Sequence, residues 1–129
     1  MSKKSRGINA ERDLIHKFWS VNWASMRAAG SGNSQFPSPD IIAGNHSRKL
    51  VLEVKLTTEN KKYFTSEEIR HLKFFADTYG AEPWVGVKFF RVPWVFFSLE
   101  DLKSSGANFV VSLEDANIKG LSFEDLVSL

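Results

Sequence analysis

Three carboxylates and one lysine are the groups in this chain whose placement suggests shared chemistry. On a helical wheel turning about 100° per residue, Glu11 lies near the centre of the apolar stripe made by Ile8, Leu14, Ile15 and Phe18. A lone carboxylate there is costly, so it needs a cation, a donor set or a raised pKa, and Arg12 is the nearest cation along the chain. Asp40 and Glu53 are separated by twelve residues that read as a hairpin, with β-rich Asp40 to Gly44 and Leu50 to Leu56 flanking Asn45, His46, Ser47 and Arg48. Pairing Gly44 with Lys49 across the turn sets Asp40 directly opposite Glu53. Two like charges so placed repel, and something positive is expected between them. Strand alternation sends Leu50, Leu52, Val54 and Leu56 to one face and Val51, Glu53 and Lys55 to the other, which Asp40 shares.

Oxygen donors from Asp40, Glu53 and the main-chain carbonyl of Val54, with Glu11 completing or bridging the set, suit a hard divalent cation such as Mg²⁺, for which Mn²⁺ is an expected substitute. A cation there neutralises charge building on a scissile phosphate, and Lys55 is placed to help deprotonate the attacking water. Cysteine is absent, which excludes disulfides, thiolate zinc sites and cysteine nucleophiles and leaves oxygen or imidazole as ligands. His16, His46 and His71 show no spacing that suggests zinc. Gly30-Ser31-Gly32 lacks the lysine and the length of a nucleotide phosphate loop, so no nucleotide cofactor is expected.

The elements that must hold these groups follow from periodicity. A first amphipathic helix is predicted from Ile8 to near Asn22, with Ser5 or Asn9 as cap, behind a basic N-terminal arm (residues 1–7) carrying Lys3, Lys4 and Arg6. Trp23 to Ala28 reads as a strand and Ala29 to Pro39 as a Gly, Ser and Pro loop before the hairpin. Thr65 and Glu68 have capping-box spacing ahead of a second helix with Ile69, Leu72, Phe75, Ala76 and Tyr79 at helical intervals, closed by Gly80. Trp84 to Arg91 and Trp94 to Leu99 are two further strands, whose Trp84, Trp94, Phe96 and Phe97 are assigned to the core. In the tail (residues 100–129), Ser112 and Ser122, like Ser98 before it, precede acidic residues in the manner of helix N-caps. The expected fold is α/β: one domain over residues 1–129 with a central mixed sheet flanked by helices.

In the second helix the adjacent Phe74 and Phe75 diverge by about 100°, so one of them should point away from the core. With Tyr79 they widen the apolar face into a candidate dimer interface. The bulk properties restrict the partners little. Lys plus Arg number 17 against 15 Asp plus Glu, a net charge of +2 that is too small to name one. Local clusters matter more: the N-terminal arm, and Arg48, Lys49, Lys61 and Lys62 in segments read as loops, are candidate phosphate contacts. The N-terminal residues carry no apolar signal segment, so a cytoplasmic, intracellular location is expected.

One ordered series of pieces makes the sequence recognisable. Pro39-Asp40, the twelve following residues and Glu53-Val54-Lys55 have the form of the PD-(D/E)xK nuclease motif. Around it stand Lys4-Ser5-Arg6-Gly7 leading to Glu11-Arg12, Arg27 before Ala29-Gly30-Ser31, and Gly86-Val87-Lys88-Phe89 followed by Trp94-Val95-Phe96-Phe97. From about Arg6 to Phe97 this series resembles the archaeal Holliday junction resolvase family. The resemblance implies a restriction-endonuclease-like nuclease core, catalytic roles for Glu11, Asp40, Glu53 and Lys55, and Ser31 near the scissile phosphate. It implies DNA contacts from Arg12, Arg27 and Lys88 beside Lys3, Lys4 and Arg6. It also implies a homodimer that resolves four-way DNA junctions by nicking two opposed strands, in the nucleoid. The alternatives are a restriction-like or repair nuclease acting on duplex or flapped DNA, and a non-catalytic DNA-binding module of the same fold.

Overall fold

The computed structural model describes residues 3–28 and 35–129, with side chains from residue 5 onward. Helix α1 (Lys3–Ser20) leads into strand β1 (Ala24–Arg27). Strands β2 (Ile41–Gly44) and β3 (Lys49–Thr57) form the hairpin, and β4 (Lys61–Phe64) precedes helix α2 (Ser66–Tyr79). Strands β5 (Glu82–Phe89) and β6 (Val95–Ser98) follow, then a 3₁₀ turn (Leu99–Asp101), β7 (Lys103–Ser105), β8 (Asn108–Ser112), α3 (Leu113–Lys119) and α4 (Phe123–Ser128).

The central sheet is mixed, in the order β1-β2-β3-β5-β6, with β3 and β5 parallel and the other pairs antiparallel. The hairpin register is the expected one, Gly44 opposite Lys49 and Ile41 opposite Leu52. The Asn45 side chain holds its turn by accepting from the N–H groups of Ser47 and Arg48, both at 2.8 Å. Each sheet face has its own core. Leu50, Leu52, Val54, Trp84 and Phe96 pack with Leu14 and Phe18 of α1 and with Phe123 and Leu126 of α4. Val51, Val85, Val87, Phe89 and Phe97 pack with Ile69, Leu72 and Ala76 of α2. Burial on both faces explains the consecutive apolar residues Leu50, Val51 and Leu52 at the start of β3. Gly86 sits where a Cβ would come to 3.0 Å from the Phe96 ring and 3.1 Å from Val54, so the missing side chain leaves room for both.

Helix α2 begins and ends as its sequence predicts. Thr65 accepts from the Glu68 N–H while the Glu68 side chain accepts from Thr65, and Gly80 takes φ 85° as it donates to the Ala76 carbonyl. Ser112 and Ser122 cap α3 and α4 by accepting from the N–H groups of Asp115 and Asp125.

Three expectations need correction. Residues 3–7 are the first turns of α1 and not a separate arm, and Ser5 and Asn9 lie inside the helix and do not cap it. Lysines and arginine are good helix formers, and the single Gly7 costs only about 1 kcal/mol against them. Lys49, Lys61 and Lys62 belong to strands, Lys49 opening β3 and the other two lying in β4. The sequence reading also lacked a second sheet, ordered β4-β8-β7, because β4 finds its partner far along the chain in the pairing of Phe64 with Phe109.

Arg48 is a structural clamp. Its guanidinium donates to both Glu82 carboxylate oxygens at 2.9 Å and to the Leu126 carbonyl at 2.7 Å, and lies 5.3 Å from the Trp23 ring. It thereby ties the hairpin turn to the start of β5 and to α4. The Arg48 hydrogen bonds hold the Glu82 carboxyl below its ordinary range, so this support is present above the usual glutamate pKa and is lost as pH falls through the depressed one. Arg48→Ala should lower stability by about 2 kcal/mol and Tm by roughly 8 °C, read by circular dichroism. A shift below about 2 °C would show that the clamp is dispensable.

Candidate active site

The two strands of the hairpin bring Asp40 and Glu53 together as their spacing requires. Asp40 stands just before β2 and donates its N–H to the Leu52 carbonyl at 2.9 Å. Its Oδ2 accepts from the Val54 N–H at 2.9 Å, which orients the carboxylate towards β3. The Asp40 and Glu53 carboxyls are near neighbours; burial first, and then the Asp40 charge and the sharing of a proton with Asp40, push the Glu53 carboxyl up to about 9.

Lys55, the neighbouring cation on β3, is paired with a third carboxylate. Lys55 Nζ is 2.9 Å from Glu68 Oε2 and 5.3 Å from the centre of the Phe64 ring. Glu68 therefore does two jobs at the start of α2, accepting the Thr65 N–H at 2.8 Å through one oxygen and holding Lys55 through the other. Burial raises the Glu68 carboxyl, but the Thr65 N–H and the Lys55 ammonium outweigh it and set it below its ordinary range. Sequence reasoning assigned Glu68 only a capping role. The capping box fixed that carboxylate at the N-terminal end of α2, but its pairing with Lys55 depends on how α2 packs beside β3.

Glu11 reaches the site from the other side of the sheet. α1 packs on the Leu50, Leu52 and Val54 face, whereas Glu53 and Lys55 project from the α2 face. Asp40, at the sheet end, is near enough to raise both Glu11 and Glu53 electrostatically. Glu11 pairs with Arg27, whose Nε donates to Oε2 at 2.8 Å, and not with Arg12, which is exposed. Burial raises the Glu11 carboxyl, and the Arg27 bond offsets part of the rise. Arg27, expected to hold phosphate, is thus the cation that balances Glu11. Among the described residues no three His, Asp or Glu side chains converge enough to enclose an ion. The close pair is Asp40 with Glu53.

Ser31 and the side chains of Lys3 and Lys4 lie outside the described residues. Arg6 and Lys88 line one groove, described below. Phe74 is 61 % exposed and Tyr79 47 %, while Phe75 is half-buried against the α2 core. The adjacent rings diverge as the helix geometry demands. All three histidines are exposed.

The acid pair opens into a pocket of about 410 Å³ lined by Asp40, Glu53, Glu68 and His71 together with Phe36 and Leu72. Its donor set is all oxygen apart from one imidazole, and near neutral pH its two facing carboxyls ionise together far more readily with a cation between them. Both facts fit a hard divalent ion that keeps several waters.

Comparison with known proteins identifies the family. Residues 2–129 match the family described as archaeal Holliday junction resolvase (Hjc). The chain is 39 % identical to the crossover junction endodeoxyribonuclease Hjc of Archaeoglobus fulgidus, with 95 % of each chain covered. It is 33 % identical to that of Sulfurisphaera tokodaii, over 98 % of this chain and 88 % of the relative. The 1.6 Å structure of Archaeoglobus fulgidus Hjc, described as a Holliday junction resolvase from an archaeal hyperthermophile, superposes with a TM-score of 0.87 at 37 % identity, covering 93 % of this chain and 98 % of that one. With the motif pieces in order, the acid pair on the hairpin and the match running nearly end to end, this chain belongs to the archaeal Holliday junction resolvase family.

Proposed function

We propose that this protein is a crossover junction endodeoxyribonuclease that resolves four-way DNA junctions by divalent-cation-dependent hydrolysis of phosphodiesters. The observation that carries the reading is the Asp40–Glu53 pair, two facing carboxyls at an open pocket, with Lys55 two residues after Glu53 on β3. Asp40, Glu53 and the Val54 carbonyl would hold Mg²⁺ or Mn²⁺, with Glu11 adjoining. The ion supplies Lewis-acid charge for the negative charge that builds on the phosphate in the transition state. The protein's own share is distinct. The Val54 N–H fixes the Asp40 carboxylate, Glu68 holds the Lys55 ammonium within reach of the pair, and Arg27 keeps Glu11 in place. Lys55 would relay the proton of the attacking water, its ammonium giving up one proton to solvent so that the resulting amine can accept the one released. Among the described residues no helix is long and apolar enough to cross a membrane, and an enzyme with this substrate would act at the nucleoid.

Labelled four-way junction, flap and linear duplex DNA, each incubated with Mg²⁺ and with EDTA, test this. Cleavage should be confined to the junction and vanish with EDTA. Equal cutting of linear duplex would overturn the junction reading, and full activity in EDTA the metal reading.

The assembly we propose is a two-fold dimer through the exposed face of α2, which would set two sites on opposed strands. Phe74, the outward ring, is the residue to change. Phe74→Asp should shift the protein from dimer to monomer in sedimentation and slow the second nick on a cruciform plasmid more than the first, so that nicked circles accumulate. A dimeric variant that yields linear product directly would place the interface elsewhere.

A further inference from the structure

A second depression, of about 780 Å³, runs between α1 and the C-terminal ends of β3 and β5. Besides Lys55, six cations line it: Arg6 and Lys17 of α1, Lys61 and Lys62 of β4, Lys88 of β5, and Arg91 in the turn to β6. The acids on its wall are Asp13 and Glu59. Among the described residues none of the six lies within 4 Å of a carboxylate, although Arg27, Arg48, Lys55 and Lys73 are all in ion pairs. Cations left unpaired together along one groove suit a run of phosphates.

Phosphates do not account for the aromatic rings in the same groove. Phe90 is 61 % exposed and Tyr63 is 52 % exposed, and both line it. A single exposed ring is ordinary; two along a basic groove are the arrangement on which bases of unpaired strands stack. Phe90 stands at a turn that the chain makes at some conformational cost. Arg91 has φ 58°, a left-handed conformation that costs a residue other than glycine about 1 kcal/mol, and its guanidinium lies 5.0 Å from the Phe90 ring. A regular duplex hides its base faces and would gain nothing from these rings. The groove also leads to the acid pair, because Lys55 lines it and is bonded to Glu68 of the catalytic pocket.

We propose that this groove receives a strand at the branch point of the junction, with Phe90 and Tyr63 stacking on bases that lose their stacking partners where the arms diverge, and Lys61, Lys62 and Lys88 on the flanking phosphates. The inference rests on the junction-resolving reading and adds to it the device that distinguishes a branch point from duplex.

Four-way junctions carrying 2-aminopurine at nucleotides beside the branch point, bound in EDTA to prevent cleavage, provide the test. Wild-type protein should change the fluorescence at one or more of these positions. Phe90→Ala and Tyr63→Ala should each weaken junction binding roughly 5- to 150-fold and abolish that change, leaving linear-duplex affinity and Tm as in the wild type. Phe90→Trp should restore both signals, and Phe90→Leu, which keeps apolar bulk without a ring, should behave like Phe90→Ala. The inference is overturned if the two alanine variants bind junctions and alter the fluorescence as the wild type does, or if they lose junction and duplex binding equally. Junction cleavage by the wild type in Mg²⁺ separates this failure from failure of the nuclease reading.

Discussion

Glu53→Gln is expected to lower junction cleavage in Mg²⁺ by roughly a thousandfold or more, with junction affinity unchanged or tighter, and Asp40→Asn should do the same. Each substitution removes a carboxylate that we propose holds the cation, but almost no volume. The same change should act in the opposite direction on the metal-free fold. The unfolded chain loses the Glu53 proton near its ordinary 4.5, the folded chain only near 9, so between those values folding takes up a proton and stability falls as pH rises. Glutamine has no proton to lose. In EDTA at pH 8, Glu53→Gln should therefore melt several degrees above the wild type and show a flatter dependence of Tm on pH. Excess Mg²⁺ should reverse the order, because only the intact pair gains stability from binding the ion. Wild-type cleavage by either variant would mean that the site is misplaced, and an unchanged or lower Tm in EDTA would mean that the two carboxyls are not in conflict.

Lys55→Met should cost roughly 10²- to 10⁴-fold in cleavage, the range expected for a positioned proton-transfer group, while junction binding and the Mg²⁺-induced rise in Tm persist. The methionine keeps the aliphatic stem against Phe64 and removes the ammonium that Glu68 holds. Lys55→Arg should not rescue, because a guanidinium stays protonated and presents a planar fork in place of a compact charge. Cleavage by Lys55→Met within about fivefold of the wild-type rate would reduce the lysine to a structural partner of Glu68.

Both predictions concern residues whose proximity was readable before any coordinates, and the reason is local. Residues on the two arms of a short hairpin have their register set by the turn between them, so Asp40 opposite Glu53 follows from a turn of four residues with Asn45 at its head. The caps of α2 were equally local: a threonine and a glutamate three residues apart, and a glycine able to adopt φ 85°. The alternation that set Glu53 and Lys55 on one face needed only the period of a strand.

What the sequence could not settle depended on residues far apart in the chain. Helical periodicity showed that Glu11 interrupts an apolar stripe, but only the packing of α1 against the sheet shows that it approaches from the face opposite Glu53, and that Arg27 is its partner. The capping box was visible, yet the second use of Glu68, holding Lys55, required β3, β4 and α2 to fold back on one another. Strand β4 carries too few apolar residues to be recognised alone and exists because β8 pairs with it across the chain. The groove beside the acid pair collects cations from α1, β3, β4, β5 and a turn, five segments that no local pattern relates. Local backbone preference thus determined the two opposed acids and the lysine beside them, while long-range burial decided which charges were neutralised within the protein and which were left facing a partner.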